Sequence, residues 1–252
     1  MENPLGALRA SVDRLHALTT GLDDDQLIAQ SYCDDWSIAQ VLSHLGSGAV
    51  ISRRGLQDVM AGTATPDDFN QSVWDEWNAK SPRAQADDAL AADEALAQAL
   101  EAVDEAERAR LTFSWGPMSL GFNDMFGLRL NEHVFHTWDI AVMFDDAARL
   151  LGDATGLVVD NLSLIARFSG RPDGQDRTID IQTTDPGREV ALRLSADGVE
   201  LGPGEPGQAP ELELPAEALS RLIYGRLDPD HTPAFTDDAA LLDTLRAVFP
   251  GP

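Results

Sequence analysis

Up to about residue 168, apolar residues recur every three to four positions, the period of a helix with one buried face. Leu8, Val12, Leu15 and Leu18 set that pattern between Pro4 and about Thr20. Gly21-Leu22-Asp23-Asp24-Asp25 breaks it, and the acidic run can open a short second helix. A longer helix is expected from Ser37 to about Met60, capped by Asp35 or Ser37. Gly62-Thr63-Ala64-Thr65-Pro66 reads as a loop, and Phe69 to Trp77 as a short helix. Ser81-Pro82 starts an Ala-rich helix running to about Arg108, since serine suits the cap and proline the first helical position. Trp115-Gly116-Pro117 interrupts. Ser119 to Phe144 is apolar and aromatic around most of its circumference, which predicts a central buried helix. One more helix is expected over about Asp153 to Phe168.

Beyond that point the period changes to two. Thr178-Ile179-Asp180-Ile181-Gln182, Val190-Ala191-Leu192-Arg193-Leu194 and Glu211-Leu212-Glu213-Leu214 alternate as half-buried strands do. Asp185-Pro186-Gly187 and Ala196-Asp197-Gly198 are turn signals between them. Pro215 to Tyr224 and Ala239 to Val248 read as closing helices. With Gly170-Arg171-Pro172-Asp173-Gly174 as the linker, the pattern predicts an α+β chain. Residues 1–170 form a helical domain, and residues 171–252 a small α+β domain with an antiparallel sheet.

Within the helical part, Glu132 and His136 are four residues apart and share one helix face. Their neighbours Phe126, Leu130, Val134, Phe135 and Trp138 are apolar, and a carboxylate in such surroundings must be paired or bind a metal. His44, on the Ser37 helix, can supply a third ligand. Two imidazoles and one carboxylate leave a coordination position open, as catalytic zinc sites do. His133 competes as a ligand but points away from the Glu132–His136 stripe. Asp139 follows His136 by three and can orient it. His16 and His231 lack ligand-spaced partners, and Trp36, Trp74, Trp77, Trp115 and Trp138 are expected to pack in the core.

Composition narrows the classes. A formal net charge of -25 argues against nucleic acid and anionic membranes as partners, which require basic patches. No apolar run approaches the roughly 20 residues of a membrane span. The amphipathic N-terminus is not a signal peptide, so a cytoplasmic location is the expectation. Cys33 is the only cysteine, which excludes an internal disulfide and a thiolate zinc cluster. Two acidic residues, Asp34 and Asp35, follow it, so an inert thiol is expected. Lys80 is the only lysine, a mark of a GC-rich genome.

Two segments carry a resemblance to a known family. Asp35-Trp36-Ser37-Ile38-Ala39-Gln40-Val41-Leu42-Ser43-His44-Leu45 and Asn131-Glu132-His133-Val134-Phe135-His136-Thr137-Trp138-Asp139-Ile140 resemble the signatures of DinB-like metal-dependent four-helix bundles. Among these the chain is similar to the mycothiol-dependent maleylpyruvate isomerases, which add a small C-terminal α+β domain to the bundle. The resemblance implies zinc, or another divalent metal, held by His44, Glu132 and His136. It implies mycothiol, the low-molecular-weight thiol of actinobacteria, as cofactor or cosubstrate, and an electrophilic small molecule as substrate. Leu219-Ser220-Arg221-Leu222-Ile223-Tyr224-Gly225-Arg226 resembles a further family stretch and implies that Arg226 binds substrate, with Arg221 and Arg83 as weaker candidates. The implied activity is isomerisation by thiol addition and expulsion, or S-transfer if the thiol stays attached. Metal-assisted hydrolysis and a non-catalytic metal-binding regulator are the alternatives.

Overall fold

The computed structural model describes residues 3–116, 118–172, 174–205, 207–234 and 239–251. Pro117 and Asp173 of the expected breaks, and the Trp115 side chain, lie outside that set. The chain divides into two compact units, Asn3–Ala148 and Arg149–Pro252.

The first unit contains α1 (Pro4–Thr19), α2 (Asp24–Ile28), α3 (Ile38–Ala61), α4 (Phe69–Asn78), α5 (Pro82–Glu101), α6 (Glu105–Arg108), β1 (Thr112–Trp115), β2 (Met118–Gly121) and α7 (Phe122–Ala141). The helix starts follow their local chemistry. Ser37 accepts from the Gln40 backbone N–H while the Gln40 side chain accepts from that of Ser37, a reciprocal cap worth about 1 kcal/mol. Ser81 caps α5 ahead of Pro82. α3 ends where Gly62 takes a left-handed φ of 67°.

α1, α3, α5 and α7 close into a four-helix bundle, with α1 and α3 each packed against both α5 and α7. Leu15, Val41, Leu42, Leu45, Trp77, Ala89 and Ile140 form part of its core. Gly46 lets α3 and α5 approach closely: a Cβ there would lie 2.7 Å from the Ala89 Cα.

Three details depart from the sequence reading. The Ala-rich helix stops at Glu101, because Asp104 caps a separate turn by accepting from the Glu107 N–H at 2.8 Å. β1 and β2 pair as antiparallel strands, and α7 starts at Phe122 instead of Ser119. The short alternation of β1, with Phe113 buried between exposed Thr112 and Ser114, was hidden by the aromatic run that follows. α7 also ends at Ala141, before Phe144.

The second unit contains α8 (Gly152–Asp160), α9 (Leu162–Ser169), β3 (Arg177–Thr184), β4 (Arg188–Ser195), β5 (Gly198–Pro203), β6 (Leu212–Pro215), α10 (Ala216–Ile223) and α11 (Ala239–Val248). The sheet order is β5-β4-β3-β6. The β4-β3 pair is antiparallel as expected, β5 adds an unforeseen strand antiparallel to β4, and β6 runs parallel to β3, so the sheet is mixed. Ile179, Ile181, Leu192, Leu194, Leu212 and Leu214 are among its buried positions.

The unit boundary falls before α8, not at residue 170. α9 packs on β5, and α10 packs on α8 and α9, so both helices belong with the sheet. Periodicity shows that a helix face is buried, not what covers it. Among the described residues, no helix is long and apolar enough to cross a membrane.

Candidate metal centre

α3 and α7 bring together the three side chains expected to hold a metal. One donor atom from each of His44, Glu132 and His136 lies within 4.8 Å of the other two. His44 Nε2 is 3.1 Å from Glu132 Oε2, and His136 Nε2 is 3.6 Å from the same oxygen. Ligand atoms about 2.0–2.1 Å from one tetrahedral ion are about 3.3 Å from each other. The donor set and its spacing therefore fit a divalent cation such as zinc. The His44 and Glu132 side chains are 38 % and 44 % exposed, so the site has an open side.

Beneath this face the site is buried and hydrogen-bonded. Asp139, fully buried one turn beyond His136, places Oδ2 2.8 Å from His136 Nδ1. A proton held on Nδ1 by that carboxylate leaves the Nε2 lone pair directed at the ligand side. The Cys33 thiol donates to the same Asp139 oxygen at 3.1 Å and lies 3.9 Å from His136 Nδ1.

The loop carrying Cys33 is fixed to α7, because the Tyr32 N–H donates to the Asp139 carbonyl at 3.1 Å. Asp35 takes a left-handed φ of 65°, which aspartate tolerates, and Trp36 follows it. The indole of Trp36 lies 5.2 Å from the His44 ring and 6.1 Å from that of His136, centre to centre.

Without a cation, charge is already distributed for one. Desolvation would lower the His136 pKa, but its hydrogen bonds to Asp139, Cys33 and Glu132 raise it to about 10. Desolvation would raise that of Glu132, but the two histidines hold it well below the usual carboxylate range. A proton thus occupies His136 where a cation would bind.

The other candidates fall elsewhere. His133 is fully buried on another face of α7, with Nδ1 2.8 Å from Ser11 Oγ and Nε2 3.4 Å from Asp93. Arg83 donates to Asp24 and to the Leu22 carbonyl. In the second unit Arg226 is buried and donates to the Tyr224 carbonyl, while Arg221 pairs with Glu217 at 2.9 Å. His231 lies 2.8 Å from Asp228, and His16 is exposed.

Two residues near the cluster were not foreseen there. Trp36 packs against the core as expected but also lies against the histidines, and Cys33 meets Asp139 instead of its exposed neighbours Asp34 and Asp35. For Cys33 no sequence signal existed, since nothing in the spacing links residue 33 to residue 139.

No protein of curated function matches the chain. A crystal structure described as the mycothiol-dependent maleylpyruvate isomerase is similar in fold, with a TM-score of 0.63 at 13 % identity over 88 % of each chain. A histidine-to-alanine mutant of that isomerase matches with the same values. A family model described as the mycothiol maleylpyruvate isomerase N-terminal domain matches residues 8–141, more than half of the 252 residues. This chain belongs to that family.

Proposed function

We propose that this protein is a divalent-metal-dependent enzyme, zinc being the expected metal, that uses mycothiol to act on an electrophilic small molecule. The reaction is either a cis–trans isomerisation like that of maleylpyruvate isomerase or an S-transfer. The observation that carries this reading is the open three-donor cluster of His44, Glu132 and His136, in a chain of this family.

A divalent cation bound there supplies the Lewis acidity that keeps a thiol in its thiolate form at neutral pH. The chain's own residues do the rest. Asp139 keeps the His136 ring in one orientation and one tautomer. Glu132 brings a negative charge that offsets the cation. Trp36 lies against both histidines. Cys33, the chain's single cysteine, is buried on Asp139, which fits a reacting thiol supplied from outside. Hydrolysis would need a solvent-facing base, whereas Asp139 is fully buried and already accepts from Cys33. Arg226 enters on family resemblance alone, as the residue for a substrate carboxylate.

Titration of the protein with mycothiol, with and without a chelator, tests the reading. Binding that the chelator abolishes supports it. Binding indifferent to the chelator, or no binding, overturns it. Isomerase and transferase then separate by product, since only S-transfer leaves the thiol attached.

A further inference from the structure

We propose that Asp93 and Arg129 are positioning residues that set the spacing of the cation ligands. The inference rests on the reading of His44, Glu132 and His136 as those ligands. Arg129 lies on α7, three residues before Glu132, and is 7 % exposed. Its Nη2 donates to Asp93 Oδ1 of α5 at 2.8 Å and to the Leu45 carbonyl of α3 at 2.7 Å. Leu45 directly follows His44. One guanidinium thus ties the backbone beside the α3 ligand to the helix that carries the other two.

The other Asp93 oxygen is 3.4 Å from Nε2 of His133, the residue after Glu132. Nδ1 of His133 meets Ser11 Oγ of α1 at 2.8 Å. Ser11 thus ties α1 to α7, beside the Arg129 bonds that tie α7 to α3 and α5, while the Asp93–His133 approach is a close contact without a hydrogen bond. α3 leaves room for the guanidinium at Gly48, where a Cβ would lie 2.8 Å from Arg129 Nη1.

Stability alone is a weak explanation for such a pair, because a buried ion pair can often be replaced by apolar side chains of similar volume without loss, desolvation cancelling most of its attraction. Fixing helix register is the best-attested use of such a pair. Register matters here because a ligand atom about 6 Å from the α7 axis moves about 1 Å for a turn of about 10°. A metal site tolerates only about 0.2 Å.

The test is the double variant Asp93→Leu with Arg129→Met, compared with the unaltered protein by zinc titration, cobalt absorption spectrum and thermal melting. We expect an equal or higher melting temperature, zinc binding weaker by about tenfold or more, and a changed cobalt spectrum. Gly48→Ala, which leaves both charges in place but displaces the guanidinium, is expected to weaken zinc binding in the same direction. Zinc affinity within about twofold of the unaltered protein in both variants, on the same scale, overturns the inference while leaving the site intact. A large fall in melting temperature for the double variant assigns the pair to stability and also counts against it. If the unaltered protein takes up no zinc or cobalt, the reading of the site has failed and the inference falls with it.

Discussion

Two histidines three residues apart on α7 show how differently one helix can use the same side chain. His136 faces His44 and Glu132 at the open side, backed by Asp139 and Cys33. His133 is fully buried between Ser11 and Asp93, beside Arg129. On one face polar groups converge with a side left open to solvent. On the other they are tied to each other across the bundle. The first arrangement suits binding, the second suits holding the helices in place.

The largest expected effect breaks the second face. Asp93→Ala leaves Arg129 buried with its carboxylate gone, and should cost about 3–5 kcal/mol of stability by denaturant titration. A cost below about 1 kcal/mol, the scale of a surface pair, would show that the two faces do not differ as described. Next, His136→Ala should weaken zinc binding by more than about a hundredfold, beyond what an orienting partner contributes, while the protein still folds. Stoichiometric zinc retained in that variant would show that the ligands are misassigned. Asp139→Asn keeps the shape but removes the charge behind His136, and should weaken zinc binding by about 10–100-fold.

The smallest expected effect is the pH dependence, and its sign follows from the metal-free charges. His136 holds its proton up to about 10, against an ordinary value of 6.5, so a cation must displace that proton to bind. Zinc affinity should therefore rise with pH by about tenfold per unit around neutrality, read by titration calorimetry in buffers of different ionisation enthalpy. In the metal-free protein the raised pKa acts the other way. Its stabilisation is complete below 6.5 and is lost as pH rises towards about 10. Glu132, with its lowered pKa, contributes above the ordinary carboxylate range and loses that contribution as pH falls well below it. An affinity that does not change with pH would mean that His136 carries no proton to displace.

The binding face was legible in the sequence, and the clamping face was not. Glu132 and His136 show their common face by spacing, and Ser37 announces the helix that carries His44. Asp139 was legible as an orienting group because it too lies one turn away. Asp93 sits in an Ala-rich stretch whose composition says nothing of a partner on α7, and Arg129 gives no sign that it reaches the Leu45 carbonyl. Cys33 and Asp139 meet only through tertiary folding. In the fold, long periodic helices were readable. The β1–β2 pair, the parallel β6 and the assignment of α8 and α9 to the second unit depend on partners distant in sequence.

The decisive measurement is a mycothiol titration of the cobalt-substituted protein in a Cys33→Ser background, where thiolate can come only from the added thiol. The account predicts a tetrahedral cobalt spectrum, with a sulfur-to-metal charge-transfer band that grows with mycothiol and saturates at one equivalent per site. A cobalt spectrum that mycothiol leaves unchanged would contradict it.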